Sequence, residues 1–227
     1  MLKRWEQLPQ ELQNDSVRPY YEALSRKRGQ LLLKRVFDIL LSLVLLVLLS
    51  PVMLILALAI RLDSPGEVLF RQVRVTQYGQ EFRIFKFRTM VANAQQLGTQ
   101  VTVQGDMRIT RMGKLLRKCR LDELPQLLNI LMGQMSFVGT RPEVPRYVRQ
   151  YTPQMLATLL LPAGVTSQAS IRYKDEDRLL DNSSDPDRTY VEQVLPGKME
   201  YNLNSMLDFS LWQDLKTMVQ TVGAVLH

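Results

Sequence analysis

Two adjacent carboxylates, Asp122 and Glu123, have the greatest chemical potential in this sequence, because basic residues crowd the chain just before them (Arg117, Lys118 and Arg120). Carboxylates within a cationic cluster stay ionised at neutral pH and can act as a nucleophile or ligate a hard cation such as Mg²⁺. The same pair opens a leucine-rich helical pattern, where acidic residues commonly cap a helix. The spacing alone leaves both interpretations open.

Composition removes several other kinds of chemistry. The chain has 227 residues, enough for one ordinary domain with appendages. Its one cysteine, Cys119, excludes an internal disulfide and a multi-cysteine metal site. Its one histidine is the last residue, His227, so histidine-based triads and histidine-ligated zinc are not expected.

Charge is unevenly distributed along the chain. The net charge is +7, but residues 61–120 carry 12 basic and 4 acidic residues, whereas residues 173–227 carry 5 basic and 10 acidic ones. A basic centre beside an apolar segment indicates anionic partners such as phosphorylated ligands or acidic lipids. The basic residues come with no nucleic-acid recognition motif or aromatic platform, so we expect no nucleic-acid partner.

The segment Ile39 to Ile60 contains no charged residue. As a helix it would extend about 33 Å, enough to cross a bilayer core of ~30 Å. Pro51 lies at its middle and predicts a kink or break, and the hydroxyl of Ser50 can bond a carbonyl freed by the proline. Basic residues flank both ends, which favours a re-entrant hairpin with two cytoplasmic ends over a single span.

The remaining pattern is mainly helical. Residues 70–90 alternate apolar and polar residues around Gln77-Tyr78-Gly79-Gln80, which predicts a β-hairpin that presents Lys86 and Arg88. A C-terminal helix is expected from Ser210 to Leu226. We therefore expect a polar surface arm or amphipathic helix over residues 1–33, a membrane helix-hairpin over 34–62 and a catalytic domain over 63–227.

Taken in order, several short motifs resemble the monotopic phosphoglycosyl transferase family, bacterial sugar transferases that begin capsule, exopolysaccharide and glycoprotein glycan assembly. Each motif is weak by itself, and the ordered set is specific. The motifs are Lys34-Arg35-Val36-Phe37-Asp38, Ser50-Pro51, Asp63-Ser64-Pro65-Gly66, Phe70-Arg71-Gln72, Lys86-Phe87-Arg88-Thr89-Met90, Leu121 to Gln126, and Met135 to Pro142.

The resemblance implies a fold that is mainly α with a small β-hairpin, a re-entrant membrane helix broken at Ser50-Pro51, and a cytosolic catalytic domain with interfacial amphipathic helices. It places the protein on the cytoplasmic face of the bacterial inner membrane. The implied partners are the bilayer, a UDP-sugar and undecaprenyl phosphate, with downstream glycosyltransferases as further ones.

The resemblance also assigns roles to residues. Asp122 would attack the β-phosphorus of the UDP-sugar in a Mg²⁺-dependent ping-pong reaction, and Glu123 would assist through the metal or in managing protons. Arg117 and Arg141 match phosphate-contacting positions, and Lys86 and Arg88 would complete the anion site. Two alternatives remain: a non-catalytic, singly spanning membrane protein with a basic lipid- or partner-binding face, and a hydrolase with an aspartyl-phosphate intermediate.

Overall fold

The computed structural model describes residues 2–94, 106–173 and 185–226. His227, which was singled out in the sequence, lies outside these ranges. The strands are β1 (Leu69–Val75), β2 (Glu81–Phe87), β3 (Met135–Val138) and β4 (Ala163–Thr166). The α-helices are α1 (Arg18–Ser25), α2 (Arg28–Asp63), α3 (Arg111–Lys118), α4 (Gln126–Leu131), α5 (Pro145–Val148), α6 (Gln168–Arg172), α7 (Pro186–Thr189), α8 (Leu195–Leu207) and α9 (Leu211–Leu226).

The apolar segment forms part of one continuous helix, α2, with Pro51 inside it. Pro51 cannot donate to the carbonyl of Val47, and the Ser50 hydroxyl bonds that carbonyl instead at 2.8 Å. Because the Ser50 hydroxyl satisfies this carbonyl, the helix can continue through Pro51. The predicted use of the Ser50 hydroxyl is confirmed. The helix does not break at Pro51, whereas the predicted kink and the re-entrant path stay predictions.

Most of the apolar surface of α2 faces outward. Among the described helices, α2 is the one long and apolar enough to cross a membrane. Its outward apolar side chains include Leu40, Val47, Leu54, Leu58 and Leu62, the last of them 79% exposed. An apolar face of this size predicts contact with lipid.

Both ends of α2 are bonded to the same polar body. Near its start, Lys34 donates to the carbonyl of Val138 at 2.9 Å and to the carboxylate of Asp214 at 2.5 Å. At its end, the Arg88 guanidinium donates to the carbonyls of Ser64 and Pro65 at 2.7 and 2.6 Å. The structure thus attaches the helix to the globular part of the chain on both sides of the apolar segment.

The predicted hairpin is confirmed. Strands β1 and β2 are antiparallel, in a register that pairs Leu69 with Phe87 and Val75 with Glu81. Tyr78 in the turn adopts a left-handed conformation with φ 61°. A second sheet, in which β3 and β4 run parallel, was not predicted from the sequence.

For residues 1–33 either a polar surface arm or an amphipathic helix is expected; the described part contains α1 and the start of α2, and its apolar side chains pack into the core. Leu12, Val17 and Leu24 are almost completely buried, in a cluster with Leu160 and Leu203. The apolar side chains spaced along this polar stretch therefore anchor it to the core. The C-terminal helix is confirmed as α9, and its Trp212 is 77% exposed.

A close contact between two glycines predicts a sharp difference in tolerance to substitution. A Cβ atom at Gly164 would lie 2.1 to 2.5 Å from backbone atoms of Gly139, whereas one at Gly223 in α9 would meet nothing within 4 Å. Gly164→Ala should force β4 away from the loop after β3 and cost about 1–3 kcal/mol of folding free energy. Gly223→Ala should be neutral or stabilising by up to about 1 kcal/mol. Thermal unfolding of both variants in one detergent tests this, and equal melting temperatures would contradict the packing described.

Candidate active site

Asp122 and Glu123 lie on a single 3-10 turn, Leu121–Glu123, between α3 and α4. Arg120, directly before the turn, is left-handed with φ 53°, a conformation that costs a non-glycine residue roughly 1–2 kcal/mol. Helix α4 begins only at Gln126. The capping interpretation is therefore not supported for Asp122, whose buried Oδ1 has no hydrogen-bond partner among the described residues.

Glu123 is the centre of an ion cluster. Arg141 donates to both of its carboxylate oxygens, and Lys86 donates to Oε1 at 3.1 Å. The three side chains are between 11% and 28% exposed. Burial alone would raise the pKa of Glu123, but Arg141 and Lys86 hold that pKa well below its usual range. Glu123 is thus a fixed negative charge, and both of its oxygens are in use.

Asp122 has the opposite surroundings. It is 8% exposed, and burial together with the neighbouring charge of Glu123 raises its pKa. Lys86, Arg117 and Arg141 oppose this rise through their positive charges. The Asp122 carboxylate is therefore poorly stabilised, and an electron pair of Oδ1 is not committed to a hydrogen bond.

The cations of the cluster come from three distant elements. Lys86 lies on β2, Arg117 in the last turn of α3, and Arg141 in the loop after β3. Burial lowers the pKa of Lys86, and the charge of Glu123 opposes that effect. The charge of Arg120 also acts on Glu123, so positive side chains outnumber the two carboxylates, which suits an anionic ligand.

Arg88 is placed differently from the expectation that it completes the anion site. Besides its bonds to Ser64 and Pro65, its Nη2 donates to the Ser64 hydroxyl at 3.0 Å. The described bonds of its guanidinium therefore go to the end of α2. Ser50 and Pro51 lie in α2 and take no part in the carboxylate cluster.

Two positioning residues were missed from the sequence. Asn129, which is fully buried, accepts from the backbone N–H of Phe85 at 2.9 Å and donates to the carbonyl of Arg83 at 2.9 Å, which fixes α4 against β2. Thr89 accepts from Arg117 Nε at 2.9 Å. A polar residue on the apolar face of a leucine-rich helix was the available signal for Asn129.

The donor set can be compared with the needs of Mg²⁺. The residues described contain no group of three or more His, Cys, Asp or Glu side chains that could hold a metal. Mg²⁺ often binds through one or two carboxylates and completes its shell with waters and substrate phosphates. The uncommitted Oδ1 of Asp122, with Glu123 beside it, fits such an ion when phosphate oxygens accompany it.

Comparisons with known proteins place the chain in one family. The family described as bacterial sugar transferase matches residues 29–227. The chain is 38% identical over 197 residues to a UDP-N-acetylgalactosamine-undecaprenyl-phosphate N-acetylgalactosaminephosphotransferase of Aeromonas hydrophila. It is 35% identical over 198 residues to a UDP-glucose:undecaprenyl-phosphate glucose-1-phosphate transferase of Caulobacter vibrioides. It is 50% identical over 112 residues to an exopolysaccharide production protein of Rhizobium leguminosarum.

The matched regions cover unequal shares of the proteins. The first two matches each cover 86% of this chain, but 44% of the Aeromonas protein and 70% of the Caulobacter protein. The Rhizobium match covers 49% of this chain and 56% of that protein. The chain therefore spans less than half the length of the Aeromonas relative.

The unequal surroundings of the two carboxylates predict stability changes of opposite sign. Asp122→Asn removes a poorly stabilised buried charge and should raise the melting temperature at pH 7.5 by about 1–4 °C. Glu123→Gln leaves Lys86 buried without its counter-charge and should lower the melting temperature by about 5 °C or more. Thermal unfolding of both variants and wild type, in one detergent, measures the difference.

The pH dependence supplies the control. Because folding raises the pKa of Asp122, its charge opposes folding at neutral pH, and the advantage of Asp122→Asn should shrink as pH falls through the folded pKa. Because folding lowers the pKa of Glu123, the deficit of Glu123→Gln should persist to about pH 5. Shifts of the same sign at pH 7.5 would refute the assignment of unequal surroundings.

Proposed function

The chain belongs to the bacterial sugar transferase family, and from that membership we propose that it transfers a sugar 1-phosphate from a UDP-sugar to undecaprenyl phosphate. The Aeromonas and Caulobacter relatives are named for these two kinds of substrate. The net-positive cluster around two buried carboxylates suits the pyrophosphate of one and the phosphate of the other. The product would begin the assembly of a polysaccharide or glycoconjugate.

One observation carries the mechanism: Asp122 offers an uncommitted carboxylate oxygen, whereas both oxygens of Glu123 are bonded to cations. We assign Asp122 as the nucleophile for this reason. Arg141, Lys86 and Arg117 would orient the diphosphate and balance the charge that develops on the leaving phosphate. Glu123 would hold Arg141 and Lys86 in place until the substrate arrives.

The proposed reaction has two displacements. The Asp122 carboxylate attacks the β-phosphorus of the UDP-sugar, the bond from that phosphorus to the bridging oxygen breaks, and UMP leaves with the bond electrons. A phosphate oxygen of undecaprenyl phosphate then attacks the same phosphorus, and the carboxylate leaves unchanged. Dividing the transfer in this way means that the two bulky substrates need not be bound together.

Mg²⁺, if bound by Asp122 and Glu123, would supply Lewis-acid stabilisation of phosphate charge. Because Arg141 and Lys86 occupy the oxygens of Glu123, Asp122 is the better candidate for the first protein ligand, through the carboxylate oxygen that does not attack phosphorus. The cationic side chains named above would orient both phosphates whether or not Glu123 also contacts the metal ion.

We further propose that the protein is monotopic, in the inner membrane, with the site on the cytoplasmic face. The bonds of Lys34 and Arg88 support this topology, because they attach both ends of the apolar helix to one polar body. Basic residues flank both ends as well, which favours cytoplasmic placement of each. A site at the headgroup layer would let a lipid phosphate meet a soluble nucleotide.

Incubation of the purified protein with labelled UDP-sugars, Mg²⁺ and undecaprenyl phosphate tests the reaction. We expect release of UMP together with a lipid-linked sugar phosphate, and a loss of both of at least about 10³-fold in Asp122→Asn, because the amide is not a nucleophile. Gly223→Ala is the matched control, since it lies outside the site and meets no neighbouring atom.

The outcomes separate the alternatives. UMP and free sugar phosphate without a lipid product would indicate a hydrolase. No turnover with any UDP-sugar would favour the non-catalytic membrane protein. Normal turnover in Asp122→Asn would eliminate Asp122 as the nucleophile.

Cysteine labelling tests the topology. In a Cys119→Ser background, single cysteines at Gln30 and Glu67, both exposed, report the two ends of α2. A membrane-impermeant maleimide should label both in inside-out vesicles and neither in intact spheroplasts. Labelling of the two positions from opposite sides would restore a single span.

A further inference from the structure

Another buried carboxylate lies two residues after Arg141. Glu143 is 6% exposed and accepts a hydrogen bond from the hydroxyl of Tyr190. Lys198, which is 5% exposed, donates to the same hydroxyl at 3.0 Å and lies 4.0 Å from the Glu143 carboxylate. Buried ion pairs are often no more stabilising than apolar packing, so this arrangement needs an explanation beyond stability.

The loop that carries Arg141 is bonded on both sides of that residue. Four backbone groups within residues 139–143 are attached to neighbouring segments. These bonds join Gly139 N to Thr166 O (3.0 Å), Thr140 O to Gly164 N (2.8 Å), Pro142 O to Arg74 Nη1 (3.0 Å) and Glu143 O to Val75 N (2.9 Å). Arg141 lies between these attachments, and its side chain reaches Glu123.

The Glu143 side chain adds an attachment of another kind. The four backbone bonds hold the loop to β1 and β4, whereas Tyr190 and Lys198 belong to the helical segment that begins at α7. Arg74 also lies 4.0 Å from Glu143, so one buried carboxylate meets charges from β1 and from α8. Loss of that charge would leave two cations behind the loop with no buried counter-charge, and their repulsion would move the loop.

We propose that Glu143 is a positioning residue for Arg141: its buried carboxylate, held by Tyr190 and Lys198, fixes the loop so that the Arg141 guanidinium meets Glu123. The position of Arg141 is a property of the protein alone. That the same guanidinium then binds the substrate diphosphate rests on the proposed function. Two measurements keep these parts distinguishable.

The first measurement needs no substrate. Phenylglyoxal modifies accessible guanidinium groups, and peptide mass spectrometry gives the rate at Arg141, with the exposed Arg149 as internal reference. We expect Glu143→Gln to raise the Arg141 rate at least about threefold, because the ion pair with Glu123 loosens. Tyr190→Phe should act in the same direction with a smaller effect.

Asp187→Asn is the matched control for this measurement. Asp187 accepts hydrogen bonds from Arg146 and Tyr147 and so attaches α7 to α5, and these two side-chain bonds do not involve residues 139–143. In Asp187→Asn the rate of phenylglyoxal modification at Arg141 should equal that of wild type. An unchanged rate in folded Glu143→Gln overturns the proposal. If that variant fails to fold, an unchanged rate in Tyr190→Phe overturns it.

The second measurement uses UMP release. Glu143→Gln should raise the KM for the UDP-sugar more than it lowers kcat, and adding it to Arg141→Gln should cause no further loss. Losses that multiply in the double variant would assign Glu143 a general structural role and overturn the positioning. If wild type releases no UMP while the modification rates change as expected, the proposed function fails and the positioning stands.

Discussion

The need to keep two adjacent carboxylates charged while they are buried governs this structure. Two like charges on neighbouring residues repel each other, and their repulsion grows as water is removed. The chain meets this need with Lys86, Arg117 and Arg141, which belong to three elements far apart in sequence. The hairpin, α3 and the paired strands β3 and β4 therefore have to be assembled before the charges can balance. The site therefore forms only when these elements have folded together.

The charges of the two carboxylates are not stabilised equally, and this difference gives the two residues different roles. Glu123 takes the bonds of Arg141 and Lys86, so its charge is stabilised and its oxygens are occupied. Asp122 lies near the same cations but has an oxygen without a hydrogen-bond partner among the residues described, and its pKa is raised. A carboxylate that is ionised but weakly solvated is more reactive than one that is fully bonded. The left-handed Arg120 before the turn is a local strain of the kind found at functional sites.

The sequence predicted the local parts of this arrangement better than the distant ones. The hairpin follows from alternation within residues 70–90, and α9 follows from a helical period, because both patterns depend on neighbouring residues. The parallel pairing of β3 with β4 joins Met135 to Ala163, and no short-range pattern encodes such a contact. Arg88 shows the same limit: the family resemblance implied a place in the anion site, but the described bonds of its guanidinium go to the end of α2. The role of Glu143 depends on Tyr190 and Lys198, which only the folded chain brings to it.

The length of α2 and the polar contacts at both of its ends limit how the helix can lie in a membrane. A helix of its length extends about 54 Å, far more than the ~30 Å of a hydrocarbon core. If it stood upright, the polar contacts near Lys34 and those near Ser64 could not both lie in a headgroup layer on one side, and one set would enter lipid. Removing the paired charges of Lys34 and Asp214 from water costs several kcal/mol per ion, and their mutual attraction does not always repay that cost. A helix that enters and leaves through one leaflet avoids this cost, because both polar ends stay with the body to which they are bonded. The continuity of α2 through Pro51 does not oppose such a path, since the Ser50 bond to Val47 allows a helix to bend at a proline without leaving a carbonyl unsatisfied.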